Sequence, residues 1–169
     1  MAQLTDLTVH TLSSSSSRDA ITPVLDLSDK IFGSSSSAQT RLSSLDEWCC
    51  RLCDPGSVLV YATLSTPSPA ATSSSSISPP SPPVGFVFAH PRSDPLLLHQ
   101  TLHIRLAGVS ETARKKSVFA TLMREVENRA RRHGQEILSV STFPEKFAKN
   151  VCVAAINEVK VIRFSDKIR

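Results

Sequence analysis

The strongest constraint on the fold comes from residues 102–134, where a buried strand leads through a basic turn into a long amphipathic helix. Apolar side chains alternate along the strand up to Val109, and a basic run followed by serine occupies residues 114–117. Apolar residues then recur at helical spacing as far as Gly134. A second buried strand is predicted over residues 137–142. A strand–helix–strand unit of this length favours two parallel, neighbouring strands.

The turn between this strand and helix is suited to binding an anion. The first N–H groups of a helix lack intrahelical acceptors, and the helix dipole adds partial positive charge there. Arg114, Lys115 and Lys116 bring three cationic side chains to the same place. Residues 114–133 hold seven Lys/Arg against two Glu, so the excess positive charge of the chain is concentrated here. The sequence therefore predicts an anion site at the start of this helix.

The remaining pattern predicts an α/β fold, an α+β sandwich around a mixed central sheet. The order is β-α-α-β-β-β-α-β-α-β, antiparallel early and parallel at the central strand–helix–strand unit. The predicted strands cover residues 7–12, 57–63, 84–90, 100–109, 137–142 and 158–164. The predicted helices cover residues 19–32, 40–52, 118–134 and 145–156, with a turn expected over residues 91–95.

Three serine tracts interrupt the pattern, at residues 13–17, 34–37 and 73–76. The third belongs to a Ser/Pro-rich segment, residues 65–83, whose composition predicts a flexible insertion. Recognisable elements flank each tract, so residues 1–169 are predicted to form a single domain. Phosphorylation or a partner-binding motif is the alternative interpretation of these tracts.

Composition and charge exclude several classes of protein. The net charge of +4 is mild, and the chain has nine aromatic residues, seven of them Phe, so we expect no nucleic-acid partner. No run of 18 apolar residues predicts a membrane span. The first residues also lack the features of a signal peptide, which favours the cytoplasm, with the nucleus as an alternative.

Four cysteines occur, three of them in one helical-looking stretch, residues 48–53. Cys50 and Cys53 form a CxxC pair beside Cys49, and Cys152 is remote. A structural zinc site needs a second pair of ligands, which the sequence lacks. We therefore expect reduced structural thiols and no metal site, with a redox or metal role as the alternative.

The strand–basic turn–helix resembles that of the GNAT superfamily of acyl-CoA-dependent N-acetyltransferases, most closely its fungal members. In that family a strand ends in Val, followed five residues later by the pattern Arg/Gln-x-x-Gly-x-Gly/Ala. Here Val109 precedes Arg114 at that spacing, while Ser117 and Phe119 stand at the two glycine positions. Serine is also a frequent helix N-cap, and Phe119 falls on the apolar stripe predicted to face inward. The family's splayed strand corresponds to residues 137–142.

The resemblance implies an N-acetyltransferase that uses acetyl-CoA and transfers its acetyl group to a primary amine by direct attack. The partners would be acetyl-CoA and a small-molecule or peptide amine, without nucleic acid or membrane, and a homodimer is left open. The alternatives are a non-catalytic acyl-CoA-binding or interaction protein on the same fold, and a basic adaptor. By resemblance the pantetheine arm would bond Ala107, Gly108 and Val109, and the pyrophosphate would bind at Arg114, Lys115, Lys116, Ser117, Val118 and Phe119.

Two residues are candidates for catalysis. His103 and Arg105 are predicted to lie on one face of the central strand, opposite Ile104 and Leu106. His103 could act as a base, because the ordinary pKa of histidine is near 6.5; the alternative is a half-buried histidine bonded to the backbone. Thr142, at the end of the splayed strand, could bond pantetheine or substrate.

Overall fold

The computed structural model of the protein describes residues 6–32, 44–65, 81–92, 101–114, 116–135, 137–140 and 162–163. The candidate site residues Lys115 and Thr142 lie outside the described residues, as do the predicted helix over 145–156 and Cys152. In the described parts of the chain no helix is long and apolar enough to cross a membrane.

The described elements form one six-stranded sheet with helices on both faces. The strands follow the order β1-β2-β3-β4-β5-β6, and every neighbouring pair is antiparallel except the parallel pair β4–β5. This arrangement confirms the predicted α/β fold and its parallel central unit. The elements are β1 (Asp6–Leu12), α1 (Arg18–Phe32), α2 (Leu45–Leu52), β2 (Val58–Ser65), β3 (Pro83–Arg92), β4 (Thr101–Val109), a 3-10 helix (Glu111–Ala113), α3 (Val118–Arg132), β5 (Ile137–Val140) and β6 (Ile162–Arg163).

Two predicted boundaries move for identifiable reasons. The helix α2 begins at Leu45, because Ser44 adopts an extended conformation and its side chain accepts a hydrogen bond from the Glu47 N–H at 3.2 Å. It was predicted to begin at residue 40. At the end of β3, Arg92 pairs with Thr101, so this part of the predicted turn is instead a continued strand.

The Ser/Pro-rich segment is also shorter than its predicted span of 65–83. Ser65 still pairs with Asp6 in the sheet, and Pro83 pairs with Thr63. Because both ends are held by strand pairing, the segment between β2 and β3 is confined to residues 66–82.

The sheet separates two apolar cores, since alternate side chains of a strand point to opposite faces. The core under α3 contains Val58, Val60, Ala62, Val87, Ala89, Leu102, Ile104, Ala113, Val118, Leu122, Val126, Ala130 and Leu138. The core under α1 and α2 contains Leu12, Ile21, Val24, Leu27, Trp48, Leu52, Leu59, Phe86 and Phe88. Each fully buried Leu, Val or Phe stabilises the fold by about 1.5–3 kcal/mol.

One residue of the predicted α3 stripe does not face the core. Phe119 is 48% exposed, which makes the predicted inward orientation wrong. It follows Val118 by one residue, or about 100° around the helix, and lies at the margin of the buried stripe. Met123, one turn further on, is only half-buried. The buried stripe runs at intervals of four through Val118, Leu122, Val126 and Ala130.

The strand β4 contains a bulge at Arg105. Phe88 pairs with Leu106 while the adjacent Ala89 pairs with Ile104, which leaves Arg105 as the extra residue. As a result Ile104 joins the core under α3, whereas Leu106 packs against the core under α1 and α2. The prediction that these two side chains share one face is therefore wrong, because strict alternation stops at the bulge.

Candidate functional site

The turn after β4 is hydrogen-bonded to the neighbouring strand β3. The Ser110 N–H donates to the carbonyl oxygen of Val84 at 2.8 Å, which ties the turn to β3. Ala113 is buried, and its N–H donates to the Ser110 carbonyl at 3.0 Å. The Arg114 N–H donates to the Glu111 carbonyl at 3.3 Å. These bonds fix the backbone that leads into α3.

Ser117 precedes α3 in the left-handed conformation, with φ 57° and ψ 12°. It is the N-cap residue of α3, although its side chain makes no capping hydrogen bond. A helical bond runs from the Thr121 N–H to the Ser117 carbonyl at 3.0 Å. The three intervening N–H groups, residues 118–120, have no intrahelical acceptor by helix geometry. The left-handed conformation is the reason glycine suits this position.

The surroundings of this helix start are positively charged. The Arg114 side chain is 31% exposed and lies 3.5 Å from a carboxylate oxygen of Glu111. The Glu111 side chain is 81% exposed, so this pairing is solvated and weak. Lys116 is exposed, and the first turn of α3 holds no acidic residue. The exposed ring of Phe119 borders the same surface.

Beyond the bulge, β4 extends past the described part of its parallel neighbour, β5. The pairing runs from Thr101 with Ile137 to Ile104 with Val140, where the described part of β5 ends. After the unpaired Arg105, the next four residues of β4, 106–109, pair with β3 and have no β5 partner within the described chain. The candidate residues Ala107, Gly108 and Val109 thus lie on a strand edge that leads directly to the basic turn.

Two glycines position the helices around this edge. A Cβ at Gly108 would lie 3.0 Å from Ile31 Cδ1 and 3.4 Å from the Phe32 ring, so this glycine lets α1 pack on β4. A Cβ at Gly85 would lie 2.9 Å from Val118 Cγ1. Gly85 was not among the predicted site residues, although a glycine inside a predicted strand is a signal for close approach.

His103 lies just before the bulge and is only 7% exposed. Its Nδ1 shares a hydrogen bond with Ser139 Oγ at 2.9 Å, across the paired strands, and its ring meets His90 edge to face. Burial, with smaller contributions from His90, Arg92 and Arg105, lowers the pKa of His103 to about 4. The imidazole is therefore neutral at pH 7, and its Nδ1 is hydrogen-bonded to the Ser139 side chain.

The bulge directs Arg105 toward α2, where it meets a second arginine on a shared carboxylate. Arg105 Nη2 donates to Glu47 Oε1 at 3.1 Å, and Arg51 donates to the same oxygen from Nε at 3.0 Å and Nη2 at 2.9 Å. This arginine pair was not predicted from the sequence, because Glu47 and Arg105 are 58 positions apart.

A cleft of about 260 Å³ lies at the opposite end of the sheet. Asp54, Ser57, Arg129 and His133 are among its lining residues, and these belong to the carboxyl end of α3 and the loop before β2. The basic turn is at the other end of α3, so this cleft is separate from the candidate site.

The cysteines do not assemble a site in the described chain. Cys49, Cys50 and Cys53 are free thiols, with Cys49 partly exposed and the other two exposed. No group of three His, Cys, Asp or Glu side chains among the described residues is arranged to hold a metal ion.

No protein-family profile matches the sequence, and no curated protein matches it significantly. Solved structures do match. An aminoglycoside acetyltransferase from an uncultured soil metagenomic sample, in complex with sisomicin, has a TM-score of 0.60 at 12% identity, over 96% of this chain and 97% of that one. Aminoglycoside N-acetyltransferase AAC(6')-Iy in complex with CoA has a TM-score of 0.57 at 11% identity, over 83% and 79%. Ribosomal-protein-alanine N-acetyltransferase from Brucella melitensis biovar Abortus has a TM-score of 0.55 at 18% identity, over 94% and 100%.

At these identities the similarity establishes the fold. The chain adopts the mixed α/β fold of the GNAT-type N-acetyltransferases, in agreement with the resemblance seen in the sequence. The closer resemblance to fungal members stays a prediction.

Proposed function

We propose that the protein is an N-acetyltransferase that transfers an acetyl group from acetyl-CoA to a primary amine. The observation that carries this proposal is the junction between β4 and α3. A strand edge without a β5 partner among the described residues runs into a positively charged helix start whose first N–H groups have no intrahelical acceptor. A structural neighbour with the same fold holds CoA, which supports this choice of donor.

The start of α3 is proposed to bind the pyrophosphate of CoA. The N–H groups of Val118 and Phe119 would donate to phosphate oxygens, as at other helix N-termini that bind anions. Arg114, Lys115 and Lys116 would add charge attraction, which acts over a longer range than hydrogen bonds. The left-handed Ser117 directly precedes these N–H groups, at the point where the turn becomes α3.

The free edge of β4 is proposed to bind the pantetheine arm. Ala107, Gly108 and Val109 present peptide groups along this edge, and an amide-containing chain can add to such an edge like an extra strand. This path leads from the basic turn back toward Arg105, where β4 and β5 come together. The thioester would therefore lie near the bulge.

The chemistry proposed at the bulge is direct attack of a neutral amine on the thioester carbonyl. A C–N bond forms, the C–S bond breaks, and the CoA thiolate leaves and takes up a proton. The attacking ammonium must first lose a proton to a base or to water. His103 is proposed to receive it, but with a pKa of about 4 it is a weak base, so water carries much of this step at alkaline pH. Thr142 is proposed to hydrogen-bond pantetheine or substrate.

The second candidate function is a non-catalytic acyl-CoA-binding protein on the same fold. Two observations favour it: Ser117 holds a conformation suited to glycine, and the exposed Phe119 ring borders the proposed pyrophosphate site. Both features affect how closely CoA can approach the start of α3, and neither changes the fold.

Calorimetric titration with acetyl-CoA tests the donor site. We expect saturable binding, weakened about tenfold or more in Lys116→Glu because attraction becomes repulsion. Arg124→Glu is the matched control, since Arg124 is also exposed on α3 but lies further along the helix. Absence of binding at millimolar acetyl-CoA would rule out both functions. Release of free thiol across a panel of amines then separates them, because a pure binder gives no amine-dependent release.

A further inference from the structure

Two arginines share one carboxylate oxygen on the α2 side of the bulge. Glu47 Oε1 accepts hydrogen bonds from Arg51 at 2.9 and 3.0 Å and from Arg105 at 3.1 Å. One negative charge therefore faces two positive charges. The cluster is a preformed cationic group with a net charge of +1, which is held in place between a helix and a strand.

Both guanidinium groups keep donors beyond those used by Glu47. A guanidinium group carries five N–H donors in a rigid plane. Glu47 engages Nε and Nη2 of Arg51 but only Nη2 of Arg105, so it does not use Nη1 of either arginine or Nε of Arg105. Both side chains are 34% exposed, which leaves them accessible yet partly shielded from water. Partial shielding strengthens a charge-assisted hydrogen bond to an anion.

The groups next to the cluster do not cancel its net positive charge. Burial lowers the pKa of His90, and the charges of Arg51 and Arg105 lower it further, against the opposite effects of its hydrogen bond to the Pro91 carbonyl and of Asp54. The neutral His103 lies beside His90. Both histidines are neutral at pH 7 and leave the charge of the cluster unchanged, and the neighbouring acid on α2, Asp46, is paired with Arg18.

The arginine cluster lies next to the place where the thioester is proposed to bind. Arg105 is the bulge residue and directly follows Ile104, the last β4 residue paired with β5 in the described chain. In the proposed function the thioester lies beside this point. A group held by Arg105 and Arg51 on the α2 side would therefore lie within reach of an amine attacking that thioester.

We propose that the acceptor is a primary amine that also carries a carboxylate, and that Arg105 and Arg51 bind this carboxylate. This inference rests on the proposed acetyl transfer and specifies its substrate class. The planar arginine fork matches carboxylate geometry and gives direction as well as charge to the contact. The same net positive charge disfavours a polycationic acceptor such as an aminoglycoside, because like charges repel.

Matched acceptor pairs test the proposal. Each pair contains an amino acid and its carboxamide: glycine and glycinamide, β-alanine and β-alaninamide, γ-aminobutyrate and its amide. The kcat/KM of thiol release from acetyl-CoA is compared within each pair after correction for the fraction of free amine. We expect at least one pair to favour the acid about tenfold or more, mainly through KM. Arg105→Gln should remove the preference, and Arg105→Lys should keep part of it.

A variant that should increase the preference for the acid shows whether its loss in Arg105→Gln comes only from misfolding. Glu47→Gln removes the competing carboxylate and raises the cluster to +2, so it should increase the preference for the acid. Arg124→Gln, on the far face of the sheet, should leave the preference unchanged. Equal rates for acids and amides, or faster turnover of an aminoglycoside than of any acid, would overturn acid recognition while acetyl transfer stands. No turnover with any amine would overturn both proposals.

Discussion

Gly85 on β3 faces the first residue of α3 so closely that a Cβ on it would lie 2.9 Å from Val118 Cγ1. Real Cβ atoms do not approach a side-chain carbon at this distance, so any larger residue must push the helix start away. The same position meets Val109 Cγ2 at 3.2 Å. Gly85 therefore sets the place of the proposed pyrophosphate site without touching the ligand.

Gly85→Ala should consequently weaken acetyl-CoA binding as well as stability. Overpacking of this kind destabilises proteins by about 1–3 kcal/mol, and we expect at least a several-fold loss of affinity by calorimetry. Val58→Ala is the control, since it removes two buried methyl groups from the same core, worth about 0.8 kcal/mol each, away from the turn. If both variants lose stability but bind acetyl-CoA equally well, α3 is not positioned by Gly85.

Ser117→Gly should tighten acetyl-CoA binding without loss of stability. Serine holds a left-handed conformation here, which disfavours L-residues by about 1–2 kcal/mol, and its side chain contributes no cap that could be lost. Ser44→Gly is the contrasting change, because the Ser44 hydroxyl does accept a capping bond. Ser44→Gly should lower the free energy of unfolding by a few tenths of a kcal/mol. The free energy of unfolding in urea should therefore rise in Ser117→Gly and fall in Ser44→Gly. A destabilised Ser117→Gly variant would contradict the expectation.

Phe119→Ala should change stability little but improve binding. The ring is 48% exposed, and substitutions at such surfaces usually fall within about 0.5 kcal/mol. Removing the ring uncovers the N–H groups of the first helical turn, so we expect a lower Kd for acetyl-CoA. Leu122→Ala, fully buried one turn further, should instead cost about 2–5 kcal/mol. Weaker binding by Phe119→Ala would mean that the ring itself contacts the ligand.

The β4–turn–α3–β5 unit was predictable because its signals are local. Apolar alternation, a basic turn and a stripe repeating every four residues each occupy a short window of sequence, and each predicts one element. The spacing from Val109 to Arg114 then related the turn to a known family. The parallel pairing of β4 and β5 followed from the length of the connection.

The bulge and the cluster around it were not predictable for the opposite reason. A bulge at Arg105 depends on the register of β4 against β3, and nothing within β4 itself encodes that register. The contact of Arg105 with Glu47 requires α2 to be docked on the sheet first. The orientation of Phe119 likewise depends on where α3 overhangs the core rather than on its hydrophobicity.

The stability of the protein should fall as the pH drops from about 6.5 to about 4. Burial lowers the pKa of His103 to about 4 in the folded protein, whereas an unfolded histidine titrates near 6.5. Between these values the unfolded chain binds a proton that the native state excludes, so unfolding is favoured by up to about 1.4 kcal/mol per pH unit. Above pH 6.5 both states are neutral at this site and the effect is absent. Burial lowers the pKa of His90 as well, so it acts in the same direction.

Urea unfolding of His103→Gln at pH 7.5 and pH 5 measures this contribution. At pH 7.5 the variant should be somewhat less stable, because the hydrogen bond between His103 and Ser139 is disturbed. Its loss of stability on going to pH 5 should nevertheless be clearly smaller than that of the natural chain. His133→Gln, at the exposed end of α3, should reproduce the natural pH dependence. An unchanged slope in His103→Gln would show that other groups govern acid unfolding, and that His103 is more easily protonated in the native state than its burial implies.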